Sequence, residues 1–159
     1  MSEEMKIKGF MDTSNVSMCN KQLKKLGYDD GVESVKDVPD LSFESIAIGD
    51  GADTIFRFLK LLNAEDIESV ELTIYNNKLI LSTDIPSAEL ILRIPVIEGS
   101  KTEFNVCKYS VAYLMAFFSE NSVKTYKENP RISFSFGTEY PLRIDYGKDW
   151  YVLAPRVEN

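Results

Sequence analysis

The residue that most often moves protons near neutral pH is missing: this chain of 159 residues contains no histidine, so the usual general acid or base and the commonest metal ligand are both absent. Its two cysteines, Cys19 and Cys107, sit in no C-x-x-C or comparable metal spacing and are too few for a disulfide framework. Both are read as reduced, structural thiols. Asp12 with Asn15 could open a metal loop, but these types at this spacing suit a turn better. Asp29-Asp30-Gly31 has only the beginning of a calcium loop, because the later ligands and the bidentate glutamate do not follow. No glycine-rich phosphate loop and no nucleophile motif occurs. The expectation is a protein that is not an enzyme and carries neither cofactor nor metal.

Eighteen basic against twenty-five acidic side chains give a net charge of -7. That balance excludes a protein gripping nucleic acid over its whole surface, so any DNA contact must be local. An apolar content of 44% with 11% aromatics supports one compact domain, or two small lobes, with a real core. The longest apolar runs, such as 111 to 118, fall well short of the roughly 18 residues that cross a bilayer. The start Met1-Ser-Glu-Glu is unlike a signal peptide. A soluble, intracellular protein with no membrane partner is expected.

The elements that must position any site become periodic from Phe43 onward. Residues 43 to 49 read as a strand, and Asp50 or Asp53 can cap a helix whose apolar face is Ile55, Phe58, Leu59 and Leu62. Val70, Leu72 and Ile74 then alternate with polar neighbours. Asn76-Asn77 suits a tight hairpin turn, Leu79 and Leu81 continue the alternation, and Leu90, Leu92, Ile94 and Val96 close it. The order recurs: a strand over 102 to 107, a helix over 109 to 120 with Phe117 and Phe118 in the core, then strands over 131 to 136, 142 to 146 and 150 to 154, the last entered through a turn at Gly147. The fold class predicted is α+β, with duplicated βαβββ units (43–97 and 101–158) whose two helices pack on antiparallel sheets. Residues 1–42 read as a hairpin around Asp12 to Asn15 followed by a polar loop or linker over 21 to 40. Open edges at Leu90, Leu92 and Ile94 and at Tyr151 to Pro155 need partners, and two unlike edges imply head-to-tail assembly that can close into a ring.

Four segments resemble one family. FGTEYPLRIDY at 136 to 146 with WYVLAPRVE at 150 to 158 is similar to the end of archaeal and eukaryotic DNA sliding clamps, the proliferating cell nuclear antigen type. Tyr109-Ser-Val-Ala-Tyr-Leu114 resembles the start of a clamp helix, and Met11-Asp-Thr-Ser-Asn-Val-Ser17 resembles a clamp hairpin. Residues 45 to 74 are similar to a helical unit of the first clamp domain. The resemblance implies a sliding-clamp fold, shortened relative to the usual two-domain chain, and a processivity factor: a homo-oligomeric ring encircling duplex DNA without sequence preference. It would tether DNA polymerase, clamp loader, ligase and nuclease through a short peptide of the form Q-x-x-aliphatic-x-x-aromatic-aromatic. Its setting would be the cytoplasm of a prokaryote, an archaeon or its virus, or a eukaryotic nucleus.

Carried over by motif position, the peptide pocket would use Met11, Asn15, Val16, Pro141, Tyr151, Leu153, Ala154 and Pro155. The DNA-facing cations would be Arg57, Lys60, Lys124 and Lys127. The second helix departs from the pattern, offering Ala112, Met115, Ala116 and Ser119 where basic or polar residues belong. The missing length has two readings. Either the first helical unit belongs to the first clamp domain, with a deletion before Ser100, or 43 to 159 is an intact domain behind a remnant. The functional alternative is a clamp-derived regulator or adaptor that binds clamp-interacting peptides without encircling DNA.

Overall fold

The computed structural model describes residues 8–12, 15–28, 31–35, 37, 40–85, 88–99 and 106–156. The first periodic unit forms as the alternation predicts: β3 (Ser45–Gly49), α2 (Ala52–Ala64), β4 (Ser69–Tyr75), β5 (Lys78–Ile85) and β6 (Ala88–Pro95). In β4 the alternate residues Val70, Leu72 and Ile74 are buried. Asn76 and Asn77 both take left-handed backbone angles, φ 54 and 59, which is the geometry of a two-residue turn whose twist matches its strands. A short β7 (Glu98–Gly99) follows. The second unit is β8 (Cys107–Ser110), α3 (Val111–Phe118), α4 (Val123–Glu128), β9 (Ile132–Phe136), β10 (Leu142–Tyr146) and β11 (Asp149–Leu153).

The two units interlock by exchanging their leading strands. β3 leaves its own unit to pair antiparallel with β9, Ser45 opposite Phe136 and Gly49 opposite Ile132. β8 does the reverse and pairs with β4, Ser69 opposite Ser110 and Leu72 opposite Cys107. Each sheet therefore contains a strand from the other unit, and neither unit can close its sheet alone.

Several segments differ from the sequence reading, α4 and β7 among them as elements it did not place. The stretch 21 to 40 is not a linker throughout: α1 covers Val16–Lys25 and β2 covers Val32–Ser34. Only Cys19 and Leu23 of α1 are buried, one helical turn apart, which is too sparse an apolar stripe to stand out in a polar sequence. The hairpin expected at Asp12 to Asn15 is replaced by an entry into this helix, with Asn15 at its N-cap position; residues 13 and 14 lie outside the described ones. The second helix begins at Val111 rather than 109 because residues 107 to 110 are drawn into the β4 ladder. Of the predicted strand over 102 to 107, residues 102 to 105 lie outside the described ones.

The N-terminal strand β1 (Gly9–Met11) pairs antiparallel with β11 and parallel with β2. Among the described residues the larger sheet has seven strands in the order β2-β1-β11-β10-β9-β3-β7, the smaller four in the order β6-β5-β4-β8. β11 is thus an interior strand. The sequence reading of Tyr151 to Pro155 as an open edge is corrected, since β1, only three residues long, is too short to reveal its pairing by alternation.

Helix caps follow local chemistry. The hydroxyl of Ser110 accepts from the Tyr113 N–H at 3.3 Å and that of Ser122 from the Thr125 N–H at 3.2 Å, satisfying first-turn donors of α3 and α4. For α2 neither predicted cap serves: the N-cap position is Gly51. Asp50 instead accepts from Arg131 at 2.7 Å, and Asp53 from Arg57 at 3.0 Å. Phe56 rather than Phe58 completes the buried face of α2.

Candidate functional site

The eight residues expected to form a peptide pocket separate into a sealed group and two half-buried ends. Met11, Tyr151 and Leu153 have 0% exposure. β1 causes this: Met11 faces Tyr151 and Gly9 faces Leu153 across the ladder. The Tyr151 ring stacks on Phe117 with centroids 5.2 Å apart, and its hydroxyl donates to the Tyr113 carbonyl at 3.4 Å. A partner cannot touch these side chains without opening the sheet, so they belong to the core.

Asn15 and Val16 follow β1 beyond its Met11 end, whereas the Ala154 N–H donates to the Lys8 carbonyl at 2.7 Å at the other end. Pro141 accompanies Ala154, because the adjacent residues Leu142 and Leu153 are paired. Tyr151 to Ala154 spans roughly 10 Å of extended chain. The structure therefore brings Pro141, Ala154 and Pro155 together and leaves Asn15 and Val16 apart from them.

Around that trio stand residues the sequence reading did not single out. Tyr140 is held by Tyr109, whose buried hydroxyl donates to the Tyr140 carbonyl at 2.6 Å. The Tyr140 hydroxyl accepts from the Ser42 N–H at 3.0 Å, and its ring meets Phe43 edge-on at 5.7 Å. Phe43, Tyr140, Pro141, Ala154 and Pro155 are all half-buried, giving an apolar lip with part of each side chain in solvent. The chain then turns to β8: the Arg156 N–H donates to the Lys108 carbonyl at 2.9 Å, and its guanidinium, 4% exposed, meets Glu68 at 3.1 Å. Arg156 lay within the quoted terminal motif, so its type was visible; its burial was not.

The opposite end is acidic. Burial raises the Asp149 carboxyl above its ordinary range, and Asp12 adds to the shift. Glu120 is raised by burial first and also by Asp149, while a bond with Cys19 acts the other way. An acid with a raised folded pKa is destabilising once ionised, so its penalty is complete above the folded pKa and vanishes below the unfolded one. Asp149→Asn should therefore raise the melting temperature modestly at pH 7, with the gain disappearing as pH falls through the ordinary carboxyl range. Thermal scans across that range check it.

The expected DNA face is also rearranged. All eight residues of α3 are buried. The helix is flanked by α1 and α2, and the Cys19 thiol donates to the Ala116 carbonyl at 3.4 Å. Ala112, Met115 and Ala116 are packing positions. Arg57, Lys60, Lys124 and Lys127 are exposed on neighbouring helices α2 and α4, joined through the Phe56–Tyr126 contact at 5.3 Å. Their charge is partly spent locally: Arg57 pairs with Asp53 at 3.0 Å and Lys124 with Glu128 at 3.9 Å. Lys60 lies over the Phe56 ring at 5.4 Å. Among the described residues no cluster of three potential ligands could hold a metal, and no helix is long and apolar enough to cross a membrane.

No protein-family model and no curated protein matches the chain. Solved structures do. The structure of the C-terminal region of FEN-1 bound to A. fulgidus PCNA aligns with a TM-score of 0.60 at 20% identity, over 78% of this chain and 51% of that one. PCNA from Thermococcus kodakaraensis gives 0.59 at 18%, over 77% and 51%. The beta subunit of DNA polymerase from Streptococcus pyogenes gives 0.57 at 14%, over 79% and 36%. The fold is that of the DNA sliding clamps. At these identities the likeness concerns architecture, and the chain spans about half the length of the PCNA chains it matches. Within this clamp fold, β1 covers β11 and α1 covers α3, while β6 keeps an outer side that no described strand occupies. Of the predicted subunit-edge side chains, Leu90 and Leu92 are half-buried and Ile94 is buried against the core.

Proposed function

We propose that the chain is a clamp-type platform of DNA replication and repair: a non-enzymatic protein that holds partner proteins by short peptides and does not encircle DNA on its own. The observation that carries this reading is the conjunction of a sliding-clamp fold with the apolar lip of Phe43, Tyr140, Pro141, Ala154 and Pro155. Half-buried aromatic and proline faces beside the end of a strand suit a partner's aromatic anchors and extended backbone. One matched structure holds the C-terminal region of FEN-1 on PCNA, and another is a PCNA2–PCNA3 complex from Sulfolobus tokodaii. Peptides of polymerases, clamp loaders, ligases and nucleases are the partners in view.

Titration calorimetry with a Q-x-x-aliphatic-x-x-aromatic-aromatic peptide tests the lip. Ala154→Asp puts a charge where apolar anchors would sit and should weaken binding by about tenfold or more, with the melting temperature little changed. Equal affinity in both proteins would refute the site.

The second reading is a processivity factor that encircles duplex DNA as a ring. Arg57, Lys60, Lys124 and Lys127 favour it, since they offer a local cationic surface on α2 and α4. Against it stand the burial of α3, which leaves one helix with nothing to present to phosphates, and the covering of β11, which removes an edge that head-to-tail closure would use.

A further inference from the structure

The backbone of β6 sorts its residues into two sets. The N–H of Val96 donates to the Asn77 carbonyl at 2.8 Å, and β5 pairs Leu79 with Ile94, Leu81 with Leu92 and Thr83 with Leu90. Tyr75 and Lys78 flank the two-residue turn, which makes them a hydrogen-bonded pair and sends the backbone groups of Leu79, Leu81 and Thr83 toward β6. Leu90, Leu92 and Ile94 therefore spend their backbone groups on β5. Those of Glu89, Ile91 and Arg93 point out of the sheet, where no described strand pairs with them.

The side chains of these same three residues are all exposed, Ile91 at 37%. They read acid, aliphatic, base, with the aliphatic in the middle. In an antiparallel pairing of two such strands about a twofold axis at Ile91, Ile91 faces its own copy and Glu89 faces Arg93 on both sides of the axis. Opposite charges directly across a ladder are favourable, and so is the central aliphatic contact. Every facing pair in this register can exchange both backbone hydrogen bonds. A two-residue slide sets Glu89 against Pro95, which has no N–H to give, so it loses a bond and both charge pairs. The register with Ile91 at its centre is self-complementary in backbone, charge and shape.

We propose that β6 is a homodimerisation edge, with a second copy of this chain adding its own β6 antiparallel about a twofold axis at Ile91 and joining the two four-stranded sheets into one. This is an isologous contact, the same surface on both partners, and it differs in kind from a head-to-tail ring contact. It is independent of the peptide lip and can fail or hold without it.

Light scattering on the full chain over a concentration series tests the proposal. A concentration-dependent dimer is expected by about 500 µM. Arg93→Glu sets carboxylates against one another on both sides of the axis, and Glu89→Arg does the same with cations. Each should raise the dimer dissociation constant at least about tenfold, while the melting temperature of the monomer, where both side chains are exposed, is unchanged. The double exchange Glu89→Arg with Arg93→Glu recreates both pairs and should restore the dimer. A chain that stays monomeric throughout, a dimer indifferent to either single variant, a double exchange that fails to restore association, or a stable mass above that of a dimer would each overturn it.

Discussion

Tyr151→Ala should destabilise the protein by about 3–5 kcal/mol, the range for truncating a fully buried large aromatic, a large share of the common native margin of ~5–15 kcal/mol. Tyr151 is sealed at 0% exposure, stacked on Phe117 and faced by Met11 across the β1–β11 ladder. Truncation empties the space beneath Gly9 of β1, while the ladders to β11 and β2 remain. Tyr151→Phe keeps the ring and loses only the long 3.4 Å bond to the Tyr113 carbonyl, so it should cost no more than about 1 kcal/mol. Denaturant unfolding of the two variants separates the readings. A surface-pocket tyrosine would tolerate alanine with stability intact and only a partner's affinity reduced.

Ala116→Lys makes the complementary argument on α3. If this helix lined a DNA channel, a lysine would be accommodated and would strengthen contact with phosphates. Ala116 instead has 0% exposure and its carbonyl accepts from Cys19 of α1. A lysine there must either bury an unpaired ammonium or lever α1 away. The expected loss is roughly 3–5 kcal/mol, similar to leaving a buried charge without its partner. Leu61→Lys on α2, at a position 46% exposed, serves as the control and should be nearly neutral. Circular dichroism melts of the pair decide the matter, with equal melting temperatures contradicting the buried placement of α3.

These two positions mark where the sequence could be read and where it could not. The repeated βαβββ order was legible because each strand alternates cleanly, as Val70, Leu72 and Ile74 do, and because α2 carries a strong apolar stripe. The reciprocal exchange of β3 and β8 was not, since alternation says which face is buried but nothing about which ladder a strand joins. α1 escaped notice because only Cys19 and Leu23 anchor it. The consequence extends to neighbouring elements: α1 packs on the face of α3 that already departs from the basic clamp pattern, and β1 covers the edge of β11. The terminal motif drew attention to Tyr151, Leu153, Ala154 and Pro155 as a group, yet strand alternation and the pairing with β1 divide them. The first two are sealed and the last two are left at the lip. Phe43 joins that lip through the β3–β9 ladder, where Ser45 faces Phe136, and Tyr140 through the β9–β10 loop.

A clamp-fold platform with its β11 edge and its helix α3 both covered should not hold a closed DNA circle. Mixing the chain with closed circular duplex DNA at about 0.15 M salt, where surface charge contacts are screened beyond ~8 Å, and separating bound from free protein by gel filtration checks this. The chain should elute free of the DNA. Retention on the closed circle that is lost when the same DNA is linearised would show encirclement and contradict it.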